Sequence, residues 1–103
     1  MRHFHRCHID PVRVLELADD FFSQLGLAQV ARDNNSRTYR GVVGTPEIPA
    51  TVKISVRAEG GHYTFVEAVT DQVGESRVDR NVKRFFVRLH RVEEPRHRLG
   101  AAY

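Results

Sequence analysis

The stretch ATVKISVRA, residues 50–58, decides the fold. Ala50, Val52, Ile54, Val56 and Ala58 alternate with Thr51, Lys53, Ser55 and Arg57. Alternation of period two places each set on its own side of a β-strand, one buried and one in water. The chain therefore contains an antiparallel sheet with one covered face, and the rest of the sequence has to supply the cover.

Strands flank this one on both sides. Gly60-Gly61 reads as a two-residue turn into a strand over 62–70, with Ala58 facing Tyr63, Val56 facing Phe65, Ile54 facing Glu67 and Val52 facing Val69. A three-residue turn flips that strand and puts His62, Thr64 and Thr70 inside. Tyr63, Phe65 and Val69 favour the two-residue register. Upstream, 27–33 and 36–43 read as a hairpin around Asn34-Asn35, since Asn tolerates the φ > 0 of a two-residue turn. That turn pairs Val30 with Tyr39 and Ala28 with Gly41, and GTPEIP (44–49) then crosses as a loop.

Two amphipathic helices supply the cover. The first opens with Asp10 as N-cap and Pro11 at the first helical position, with Ile9 and Val14 as a staple. Val14, Leu15, Ala18, Phe21, Phe22 and Leu25 follow at helical spacing, and Gly26 ends it. The last helix spans 76–92, capped by Ser76, with Asp79 near its positive end. Its apolar stripe is Val78, Val82, Phe85, Phe86, Leu89 and Val92, and Pro95 stops it. The expected architecture is α+β: a four-stranded antiparallel meander with both helices on one face, in the order α-β-β-β-β-α. A short strand over 3–8 can precede it. Residues 1–95 make one domain, and 96–103 read as a frayed tail.

The bulk numbers agree. A chain of 103 residues is one domain by length. Hydrophobic residues at 41% and charged ones at 28% are enough for one core and argue against disorder. A single cysteine, Cys7, excludes an internal disulfide and suits a reducing cytoplasm. No apolar run reaches a membrane span of about 20 residues, and MRHFHRCHID lacks the apolar core of a signal peptide. The net charge of +3 is mildly basic.

Four groups of residues can carry function. His3, His5 and Cys7 project on one side of an extended segment, and imidazole and thiolate are zinc or copper ligands. Arg77, Arg80, Arg84, Arg88 and Arg91 share one face of the last helix, with Lys83 beside them, and can track phosphates. Glu16, Asp19 and Asp20 of the first helix can instead neutralise part of that stripe, and no aromatic residue interleaves it for base stacking. The free sheet face carries Gln29, Thr38, Arg40, Thr51, Lys53, Ser55, Arg57, Thr64 and Thr70, with Ala31, Val42, Val66 and Ala68, as a contact or dimerisation surface. Glu67, on the two-residue register, points under a helix beside Tyr39, Tyr63 and Phe65, and a carboxylate there marks a site or needs a partner. Small neighbours, Ala28, Gly41, Ala50 and Ala58, leave room for a ligand. Catalytic motifs are missing: the pair Gly41 and Gly44 lacks the Lys-Ser/Thr of a phosphate loop.

The opening FHRCHIDPVRVLELADDFF (4–22) resembles the strand and proline-started helix of the helix-grip superfamily, which includes START-like and polyketide cyclase-like domains. The closing GESRVDRNVKRFFVRLH (74–90) resembles their gripping C-terminal helix. The element order is also similar to the unit of TATA-binding-protein-like folds. The helix-grip resemblance implies a cavity for an apolar or amphipathic ligand under the last helix, and no catalytic residue.

The first expectation is therefore a non-catalytic domain without a cofactor. It holds a small apolar or amphipathic ligand between Tyr39, Tyr63, Phe65 and Glu67 on the sheet and Phe85, Phe86 and Leu89 on the helix. The second is a basic module that contacts nucleic acid or an acidic protein through the arginine stripe. The third is an assembly subunit that forms a homodimer.

Overall fold

The structure is a computed structural model and describes residues 1–43, 48–61, 63–71 and 77–93. Its elements are β1 (Arg2–Cys7), α1 (Pro11–Gln24), β2 (Ala28–Arg32), β3 (Ser36–Val43), β4 (Ile48–Glu59), β5 (Tyr63–Thr70) and α2 (Arg77–Glu93). The meander β2 to β5 is present, and β1 adds a fifth strand beside β5, giving the antiparallel order β1-β5-β4-β3-β2. Both helices lie on one face: α1 over β2, β3 and β4, α2 over β1 and β5. The expectations for residues 44–47, Ser76, Pro95 and the tail 96–103 lie outside the described residues. Ile48 and Pro49, expected in a loop, open β4 instead, opposite Val43 and Val42.

Helix α1 starts and stops as its sequence dictates. Pro11 opens it and Asp10 holds the N-cap position, although the Asp10 carboxylate makes no capping bond. At the other end Gly26 takes φ +86°, its N–H donates to Ser23 O, and Leu27 N–H donates to Phe22 O. Those two bonds form a Schellman cap, which needs a left-handed residue after the helix.

The register of β5 is the three-residue one. Ala58 pairs with Thr64, Val56 with Val66, Ile54 with Ala68 and Val52 with Thr70. Tyr63, Phe65, Glu67 and Val69 therefore lie on the open face, opposite to the expectation. Two physical reasons favour this outcome. α2 packs on β5, and there the strand presents the small buried side chains Val66 and Ala68 to a core that already holds Phe22 and Phe85. The two inward threonines are also satisfied: Thr64 donates its hydroxyl to Ile9 O, and Thr70 donates to Asp79 Oδ1 at 2.8 Å. The other register carries the Glu67 carboxylate to the covered face, where desolvation is costly.

The first hairpin is half as expected. Arg32 pairs with Arg37, and Asp33 N–H donates to Ser36 O, so Asn34-Asn35 form the two-residue turn. Neither asparagine takes a positive φ. A bulge between Gln29 and Ala31 then shifts the register by one, so Gln29, not Val30, faces Tyr39, and Ala28 faces Arg40 rather than Gly41. Bulges of this kind are common on edge strands, and β2 is an edge.

The core sits between the helices and the sheet. Val14, Leu15, Ala18 and Phe22 of α1 and Val78, Val82, Phe85 and Leu89 of α2 meet Tyr39, Val52, Ile54, Val66 and Ala68. Phe22 is stacked on Tyr39 (centroids 4.9 Å) and packs on Phe85 (5.3 Å).

Candidate functional site

The residues expected to line a ligand pocket are not brought together. Tyr39, Phe85 and Leu89 are buried in the core, and Phe86 is half-buried against His5 (ring centroids 5.1 Å). Tyr63, Phe65 and Glu67 are on the opposite face of the sheet. Glu67 there faces Phe4 across the strands and lies 3.9 Å from Arg2. Ala28 and Ala58, expected to make room beneath a helix, are both exposed.

His3, His5 and Cys7 do share the covered side of β1, but each has its own structural role. His3 Nε2 lies 2.9 Å from Asp79 Oδ1, and Asp79 is buried in the first turn of α2. His5 stacks on Phe86 with its Nε2 buried and lacking a hydrogen-bond partner, and burial pushes the imidazole below its ordinary pKa. Burial likewise pushes the Cys7 thiol up. Among the described residues no group of three or more His, Cys, Asp or Glu side chains is arranged to hold a metal ion.

The arginine stripe of α2 is intact and exposed. Arg77, Arg80, Arg84, Arg88 and Arg91 all face solvent, as does Lys83. The acidic residues of α1 were the competing explanation, and two of the three, Asp19 and Glu16, are occupied elsewhere. Asp19 accepts from the Tyr39 hydroxyl (2.7 Å), Gln29 Nε2 (2.9 Å) and Arg37 Nε (3.4 Å). Burial, and then the bond to Asp19, pushes the Tyr39 phenol far above its ordinary pKa. Glu16 pairs with Arg13 at 3.5 Å. Among the described residues only Asp20 reaches the stripe, 3.8 Å from Arg88. Between the two helices Phe21 and Val87 floor a depression of about 340 Å³, rimmed by Arg84, Arg88 and Arg91. Guanidinium groups around an apolar floor can fork onto phosphate oxygens.

The open sheet face gains what sequence reasoning assigned elsewhere. Cross-strand pairing lines up Arg6, Phe65 and Arg57 in one row, Phe4, Glu67 and Ser55 in the next, and Arg2, Val69 and Lys53 in a third. The Phe65 ring has the Arg6 guanidinium 4.9 Å from its centroid and that of Arg57 at 4.5 Å. Glu59 holds both arginines, at 2.9 and 3.2 Å, and those two hydrogen bonds keep its carboxyl below the usual range. Phe4 lies 5.4 Å from Phe65, and Tyr63 lies 4.7 Å from the His8 ring. Gln29, Thr64 and Thr70, expected on this face, are on the other one. The signal for this surface was the alternation of Arg2, Phe4 and Arg6, which becomes readable only once β1 is placed against β5.

No protein-family model matches the chain, and no curated protein matches it. Among the described residues no helix is long and apolar enough to cross a membrane.

Proposed function

We propose that the domain is a non-catalytic module that binds nucleic acid through the arginine face of α2. The observation that carries this reading is the near absence of compensation: five arginines on one exposed helical face meet a single carboxylate, at 3.8 Å, among the described residues. From Arg77 to Arg91 the stripe runs roughly 21 Å along the helix, enough to follow about six phosphates of one strand. Single charges on an outer face need no explanation; a run of this length with one carboxylate partner among the described residues stores repulsion that a polyanion relieves. The small-ligand reading has no comparable support, because its sheet-side residues are split between two faces.

The test is a salt titration of binding to duplex and single-stranded oligonucleotides. Four to five phosphate contacts correspond to a slope of log affinity on log salt of about −3.6 to −4.5 for a duplex and about −2.8 to −3.5 for a single strand. Replacing Arg80 and Arg84 together by Gln lowers affinity for both oligonucleotides and flattens the slope by about two. Binding that does not respond to salt, or that survives the double replacement, refutes the reading. Preference for polyglutamate over both oligonucleotides refutes it in favour of an acidic protein.

A further inference from the structure

We propose that the open face of the sheet is a platform for an unpaired nucleic-acid strand, on which bases stack while phosphates meet the surrounding cations. The inference rests on the nucleic-acid reading of α2 for its ligand class, and it names a second surface on the opposite side of the sheet.

Aromatic rings and cations alternate across three adjacent strands. Phe4 and Tyr63 stand on this face with 54% and 48% exposure, large values for rings in paired strands. Neither is left loose: Phe4 is set against Phe65, and Tyr63 against His8. Rings held in place and open to solvent lose little entropy when a base stacks on them, and stacking accepts every base. Next to Phe65 lies a depression of about 210 Å³ lined by Asn35, Ser55, Val56, Arg57, Phe65 and Glu67. Its amide, hydroxyl, guanidinium and carboxylate can donate to and accept from the edge of a base that is not paired.

Charge selects the occupant. Within the strands the face carries Arg2, Arg6, Arg40, Lys53 and Arg57 against Glu59 and Glu67, an excess of three positive charges, and Asp71 just past β5 accepts from the Thr51 amide at its border. Glu59 fixes the orientation of Arg6 and Arg57, so their guanidinium planes stay beside the Phe65 ring. A second copy of the chain docked through the same face sets these cations against each other. A duplex hides the faces of its bases within the stack, so the rings discriminate in favour of a single strand.

The full chain is titrated into labelled homopolymer oligonucleotides of about 12 nucleotides, RNA and DNA, and into the matching duplexes. The expected result is tighter binding of single strands than of duplexes. Phe4→Ala and Tyr63→Ala each weaken single-strand binding about tenfold, leave duplex binding and the salt slope unchanged, and retain the wild-type melting temperature within a few degrees. Phe4→Trp restores binding. Arg80→Gln with Arg84→Gln weakens both ligands, so failure of the α2 reading is seen separately: that pair has no effect while the aromatic replacements still do. The platform is overturned if Phe4→Ala and Tyr63→Ala leave single-strand affinity intact, or if duplexes bind as tightly as single strands. It is also overturned if sedimentation shows a dimer that Phe4→Ala disperses.

Discussion

The Tyr39 hydroxyl donates a 2.7 Å hydrogen bond to Asp19, and this bond joins the middle of α1 to the third strand. The same carboxylate receives Arg37 and Gln29, so one side chain ties the helix to two strands. Tyr39→Phe removes one donor and leaves Asp19 its other partners, with an expected loss of about 1 kcal/mol. Asp19→Ala leaves a buried hydroxyl and a buried guanidinium short of an acceptor and is expected to lose about 2–3 kcal/mol. Urea denaturation of both variants measures the difference. Equal losses mean that Asp19 does not organise the group.

The buried imidazole of His5 makes stability depend on pH. Its pKa in the folded protein lies below the ordinary 6.5 because burial disfavours the cation, with Glu93 opposing and His90 adding to the effect. The unfolded chain therefore takes up the proton first as pH falls. Stability contributed at this position is complete above the ordinary value and declines from there down to the folded value. His5→Phe keeps a ring against Phe86 and removes an unpartnered nitrogen. The variant is expected to be more stable by about 1 kcal/mol at neutral pH and by more at pH about 5. Melting curves across that range decide it; parallel curves for the two proteins contradict the assignment.

Gly41 permits a close approach. A Cβ at this position comes within 2.7 Å of Leu27 Cδ2 and 3.2 Å of Gly26 O. Leu27 is buried and follows the left-handed Gly26, so it has little room to retreat. Gly41→Ala is expected to destabilise by about 1–3 kcal/mol, as overpacked sites do. An unchanged denaturation midpoint shows that the segment after α1 moves freely.

Cys7 is the single thiol of the chain, and it is buried with a raised pKa. Thiolate is the reactive form, so labelling by a disulfide reagent has to wait for an opening of β1 or of the whole domain. The labelling rate is expected to rise steeply with urea, in step with loss of structure. Fast labelling in the absence of urea contradicts the placement of β1 at the sheet edge beneath α2.

Most of the elements were legible in the residues themselves, each for a local reason. Pro11 and Gly26 bracket α1 because a ring without an N–H suits a helix start and a residue without Cβ suits its end. The alternation of 50–58 marks β4, which the structure extends to Ile48–Glu59. What escaped was parity. Val30 turns outward because a bulge on an edge strand adds one residue to the count, and nothing in AQVAR announces it. Glu67 looked like a buried carboxylate because the strand YTFVEAVT has apolar residues on both of its sides.

Periodicity, caps and the spacing of charges are local, and they determined the number and kind of elements, the covering of one sheet face by two helices, and the arginine stripe of α2. Which side of β5 is covered depended instead on the length of one glycine turn and on the packing of α2 over the strand. Both act between residues far apart in the chain, and in a strand of period two a single residue of turn moves every side chain to the other face. The same long-range placement engaged Asp19 with Tyr39, left the arginines of α2 with one carboxylate among the described residues, and set Phe4, Tyr63 and Phe65 among cations on the open face.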